Sequence, residues 1–188
     1  MERRVGAVAT HVAGKETPPI DGLIKVRAIT NFLVLTPDQS QWAGLVQQAT
    51  GVATALVARY TQLGYETQTL RIVTNPFGEY LDCSSIETAL AGLAAVKAIL
   101  DADSSGIRIR FAIGAARTAA ELALVPRMIA AYGDLCNICV NVEADEAGLV
   151  DAHMCDLAAE CVRELATETD RCVRLLLCLG YATVRLPR

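Results

Sequence analysis

Two strand-like stretches of the chain carry the same residue types at the same spacing: Arg27-Ala28-Ile29-Thr30-Asn31 and Arg71-Ile72-Val73-Thr74-Asn75. A third, Arg110-Phe111-Ala112-Ile113-Gly114, keeps the arginine. A guanidinium grips carboxylates and phosphates through paired donors, and a side-chain amide both donates and accepts. Residues i and i+4 of a strand share a face, so Arg27 is expected beside Asn31, and Arg71 beside Asn75, on one side of a sheet. Asn137 and Asn141 repeat the spacing further on, as do Arg174 and Cys178. An arginine on an apolar strand is costly unless it is paired or wet, and that leaves two readings open. In one, Arg27, Arg71 and Arg110 form a structural layer, each paired across the sheet with a carboxylate or carbonyl. In the other, arginine and asparagine line a polar cavity or barrel interior.

The second chemical candidate is the end of the sheet where strands exit. The segment "RIVTNPFGEY" (71–80) leaves an apolar run through Thr74, Asn75, Pro76, Phe77 and Gly78. Ligands of parallel sheets bind outside the carboxyl ends of the strands. That places Asn31, Thr74, Asn75, Phe77, Gly114, Arg117, Asn141 and Glu143 around a candidate site for a polar or anionic ligand, met by Asn31, Asn75 and Arg117. Gly114 to Arg117 also leads into a helix N-terminus, which can hold an anion. Neither a GxGxxG nor a GxxxxGK[ST] phosphate loop is present. Glu79 and Asp82 offer an acid/base pair, with solvated loop carboxylates as the plainer account. Glu143, Asp145 and Glu146 offer oxygen ligands for a hard cation, with a charged turn as the plainer account. Cys83, expected at a helix N-terminus, is a nucleophile candidate with no histidine near it in sequence. The pair Cys136 and Cys139 spans a strand, where residues three apart face opposite sides, so it reads as structural. No metal set is assigned, no cofactor is indicated, and whether the chain is an enzyme stays open.

Several alternating elements must position these groups. Strands are expected over 24–35, 66–74, 107–113, 136–143 and 173–184. Between them lie helices announced by Thr36-Pro37-Asp38-Gln39, Ser84-Ser85-Ile86-Glu87 and Thr118-Ala119-Ala120-Glu121, which read as capping boxes. Gly64 and Gly133 read as helix ends, and Pro126 should kink or split its helix. A last helix is expected over 150–167. Such alternation predicts an α/β fold: a five-stranded, mostly parallel sheet with alternating helices and right-handed crossovers. Near-continuous apolar strands suggest that both sheet faces are covered. Residues 1–22 read as an N-terminal arm and 23–188 as one α/β domain.

Composition sets the limits. The 188 residues carry a net charge of −4 and are 53% hydrophobic, with aromatics only 5%. No basic excess exists to neutralise phosphates, which argues against a nucleic-acid partner. The uncharged stretch 39–58 holds too many Gln and Thr residues to span a membrane. The seven cysteines are odd in number and irregularly spaced, which fits reduced thiols in a cytoplasmic protein.

"KVRAITNFLVL", "GYETQTLRIVTNPFGEY" and the proline-containing helix before a Val-Asn strand resemble the uncharacterised family catalogued as domain of unknown function 711, or uncharacterised protein family 0210. The likeness is best over 24–143. It implies half of a pyruvate formate-lyase-like α/β barrel, a fold built from two parallel half-barrels set antiparallel. Members are typically more than twice as long, so the chain would correspond to the N-terminal half. The family's Gly-x-x-Asn-Phe-Arg-like segment is replaced here by Asp170-Arg171-Cys172-Val173-Arg174. The resemblance carries no reaction. It makes the alternative to a ligand-binding scaffold a non-catalytic assembly protein, or a truncated member, that self-associates as a homo-oligomer through an open sheet edge or awaits a second half-barrel.

Overall fold

The computed structural model describes residues 24–102, 109–133, 135–142, 147–168 and 175–178. The expected arm at 1–22, Glu143, Asp145, Glu146, Cys172 and Arg174 lie outside the described residues. Strand β1 is Ile29–Leu33, followed by helix α1 (Trp42–Gln62), β2 (Leu70–Thr74), α2 (Ile86–Asp101), β3 (Ile109–Ala116), α3 (Ala119–Tyr132), β4 (Asn137–Asn141) and α4 (Ala152–Glu168). Each strand pairs in parallel with the next one in sequence. The backbone of Leu175–Cys178 (β5) lies parallel beside β4, with Asn141 opposite Cys178. The α/β alternation and the parallel sheet are as expected. Of the last strand expected over 173–184, the described part is 175–178.

Sequential strand order has a consequence for covering. Right-handed crossovers that all step in one direction put every helix on the same side of the sheet. Burial follows that rule. Ile29, Leu70, Ile72, Phe111, Ile113, Ile138 and Val140 are all buried, in clusters with Trp42, Val46, Ala53, Leu93, Val125 and Met128 from the helices. The alternate residues are exposed along β1, with Phe32 at 84%, Val34 at 68% and Thr30 also exposed, and at Arg71, while Val73, Arg110, Ala112 and Cys139 are half-buried. The expectation of helices on both faces is therefore corrected for the described residues, whose helices lie on one side. Among the described residues no helix lies on that outer face, which is bare along β1.

Local details refine the expected boundaries. Thr36 is not the first cap. Asp38 caps a short 3-10 turn, Gln39–Gln41, through the Ser40 amide, and α1 begins only at Trp42. The Thr36 carbonyl instead accepts the Trp42 indole N–H at 2.7 Å. In α2 the cap is Ser85, closed by Thr88 rather than by Ser84 with Glu87, because Ser84 is held in a turn by Asp82. The third box, Thr118 with Glu121, forms as read. Pro126 neither splits nor ends α3, which runs continuously through it. Its buried neighbours Leu122, Val125, Met128 and Ile129 hold the helix in place against the roughly 3 kcal/mol penalty of an internal proline.

A bulge in β3 shapes the exit end. Ala112 pairs with Asn137 but Ala115 pairs with Cys139, so β3 gains one residue there. Gly114 sits in that bulge at φ +82, and a Cβ on it would lie 2.2 Å from the Asn75 carbonyl oxygen. Left-handed strain and a backbone clash then act together. We expect Gly114→Ala to lose about 3 kcal/mol in urea denaturation; a loss below about 1 kcal/mol would contradict the close approach.

Candidate functional site

The described part of the predicted site centres on the exits of β2 and β3. Asn75, one residue past β2, accepts the Leu35 N–H on Oδ1 at 2.9 Å and donates from Nδ2 to the Leu35 carbonyl at 3.1 Å. Its amide acts as one more rung between the β1 and β2 exits. Nδ2 also donates to Glu79 Oε2 at 2.8 Å. The other oxygen of Glu79 accepts from Arg117 Nη1. Glu121 Oε2 accepts the Arg117 N–H at 2.6 Å and the Thr118 N–H at 3.3 Å. Gly78 allows the loop to lie against α3, since a Cβ there would fall 2.0 Å from Glu121 Oε1.

The group is therefore internally satisfied. Two carboxylates bracket Arg117, and the first turn of α3 is closed by Thr118 and Glu121. The Arg117 and Glu79 side chains are 56% and 43% exposed, so their ion pair contributes at most about 1 kcal/mol. Sequence reasoning placed Asn75 and Arg117 near each other but missed that Glu79 joins them. The available signal was the four-residue spacing from Asn75 to Glu79 across a tight Pro-Phe-Gly turn.

Beneath this group the remaining residues are structural. Phe77 is fully buried in the core. Thr74 Oγ1 lies 3.0 Å from Tyr80 Oη and donates to the Ala112 carbonyl at 3.2 Å, while the Tyr80 hydroxyl reaches the Ile113 carbonyl at 3.3 Å. Tyr80 also meets the edge of Trp42 at 5.7 Å between ring centroids. Burial raises the Tyr80 phenol well above its ordinary range, so it stays neutral. Asn31 is not part of the exit cluster. Its Nδ2 donates to the Ala49 carbonyl on α1 at 2.6 Å. Asn141 closes β4.

The acid/base and nucleophile readings gain no support. Hydrogen bonds from the Ser84 hydroxyl and amide hold the Asp82 carboxyl below its usual value, away from proton transfer near neutrality. Partial burial, then Glu121 and Asp82, push the Cys83 thiol up to about 11. Cys136 is buried and raised to about 12 by desolvation. Among the described residues no His, Cys, Asp and Glu group is arranged to hold a metal ion, and no helix is long and apolar enough to cross a membrane. An open depression of about 420 Å³ lies along α4, lined by Asp156, Ala159, Glu160 and Arg163.

The arginines separate from the asparagines. Arg71 stands opposite Thr30, and Asn31 stands opposite Ile72. The two matching sequence stretches are thus three residues out of register, an odd shift that exchanges faces. Asn31 points to the helical side and Arg71 to the bare side, so the expected common face of the two pairs is corrected. Arg71 is directly opposite Arg110. Among the described residues, Arg27, Arg71 and Arg110 have no ion-pair partner.

Fold and site together define a one-sided parallel α/β scaffold with a closed polar cluster at its strand exits and an arginine pair on its bare face. The chain belongs to the family described as Uncharacterised ACR (DUF711), whose pattern matches residues 21–183. No curated protein matches the chain.

Two outcomes follow from the cluster. Asn75→Ala removes three hydrogen bonds, two of them to the Leu35 backbone. It should cost about 2 kcal/mol in chemical denaturation; a cost below about 0.5 kcal/mol would show that the rung is not made. Alkylation at pH 8, read by peptide mass spectrometry, should find Cys83 slower than an unfolded-peptide thiol of pKa about 8.5; faster labelling would restore the nucleophile reading.

Proposed function

We propose that the chain is a ligand-binding α/β scaffold of the half-barrel kind, resembling half of a pyruvate formate-lyase-like barrel. In this reading the bare sheet face is a barrel interior, and Arg71 and Arg110 meet a polar or anionic ligand there. Asn75, Glu79 and Arg117 form the rim at the strand exits rather than the binding groups themselves. The observation that carries the reading is the placement of two arginines directly opposite each other on the face that no described helix covers. Like charges so placed destabilise a sheet unless an anion lies between them. A carboxylate or phosphate supplies that charge with bidentate geometry.

A second reading, a non-catalytic assembly role, is favoured by the exposure of Phe32 and Val34 along β1, whose outer edge has no pairing strand among the described residues. A strand edge of this kind is a template for another strand.

Thermal unfolding tests the first reading. Inorganic phosphate or citrate should raise the wild-type midpoint beyond sodium chloride of equal ionic strength. Arg71→Gln should stabilise the ligand-free protein by about 0.2–1 kcal/mol by relieving repulsion, and should abolish the anion response. An equal anion response in wild type and Arg71→Gln, or none in either, would contradict the proposal.

A further inference from the structure

The outer margin of β1 combines three features. The first is backbone. Ile29 donates its N–H to Thr69, and Leu35 presents its N–H and carbonyl to Asn75 on the β2 side. In a parallel strand the N–H and C=O of one residue point the same way and alternate along the chain. Thr30, Phe32 and Val34 therefore present theirs to the outer edge, where no described strand pairs.

The second feature is apolar surface. A right-handed crossover puts α2 on one flank of α1 and leaves the other flank above the β1 edge. Helical spacing from the buried line Trp42, Val46, Thr50 and Ala53 puts Val52, Leu56 and Leu63 on that free flank. All three are exposed, Val52 at 53%. No charged residue occurs from 39 to 58.

The third is charge. Lys25 and Arg27 precede β1, Asp38 follows it, and no charged residue lies between them. Parallel pairing of two such edges would set like charges together. Antiparallel pairing sets the basic end of one against the acidic end of the other.

We propose that this margin is a two-fold seam between two copies of the chain. β1 pairs antiparallel with β1 of the second copy, Thr30 of one opposite Phe32 of the other. The two sheets become continuous, the Val52, Leu56 and Leu63 flanks of the two α1 helices face each other, and the end of one strand that carries Lys25 and Arg27 lies alongside the end of the other that leads to Asp38. A chain of net charge −4 repels its own copies, and this margin is where that repulsion is locally reversed. The inference rests on the assembly reading above and names its partner.

Sedimentation of the full chain over a range of concentrations tests it. A monomer–dimer equilibrium is expected. Leu56→Lys, which keeps a good helix former, should weaken it at least about tenfold. Arg27→Glu and Asp38→Lys should each weaken it, and the double reversal should restore it. A dimer indifferent to all of these overturns the seam, as does a monomer at every concentration. In the monomer case, amide exchange distinguishes the two ideas. Fast exchange at Thr30 and Phe32 ends the second-copy proposal alone, and slow exchange shows the edge paired within the chain, which ends the assembly reading as well.

Discussion

The structure depends on one topological constraint: parallel strands joined in sequential order by crossovers of one hand. That arrangement stacks α1 to α4 on a single side and commits alternate residues of β1 to β4 to their core. Everything else follows from the imbalance. The helical side is closely packed, with Trp42, Phe77 and Phe111 fully buried, and the other side keeps Phe32, Val34 and Arg71 exposed and Arg110 half-buried. A doubly wound sheet reverses its strand order and opens a ligand crevice at the reversal. No reversal occurs among the described strands, so binding chemistry there has two places to go, the strand exits or the bare face.

At the exits the chain has largely satisfied itself. Asn75 serves backbone, Glu79 joins Asn75 to Arg117, and Glu121 closes the start of α3. These contacts fix how the β2 and β3 exits meet, with Gly114 permitting the close approach. The same contacts leave few donors free for a ligand. On the bare face the balance is opposite, because Arg71 and Arg110 adjoin with no carboxylate paired to either among the described residues. The exit cluster thus reads as scaffold and the arginine pair as the place where added negative charge is favourable.

Much of this was legible in the residues. Alternation of apolar runs with capping motifs marks the order of elements, and Thr118 with Glu121 marks the start of α3 to the residue. Two features were not legible. Register is a property of two strands, so the match of Arg27–Asn31 with Arg71–Asn75 implied a shared face that the pairing of Arg71 with Thr30 removes. Cover is a property of the whole sheet, so Phe32 and Val34 look like core residues until the crossovers are counted. The caps moved by one or two positions for a local reason: Asp38 and Asp82 offered stronger acceptors than the hydroxyls beside them. Glu79 escaped because its partners, Asn75 and Arg117, come together only when two exits meet.

The central claim is a sheet packed on one face and bare on the other, and the three phenylalanines are its natural reporters. Hydroxyl-radical footprinting with residue-level mass spectrometry, at concentrations low enough to keep the chain dispersed, compares one ring type in three surroundings. The account predicts heavy oxidation of Phe32 and near-complete protection of Phe77 and Phe111. Protection of Phe32 equal to that of Phe111 would contradict it, because the bare face would then be covered from within the chain.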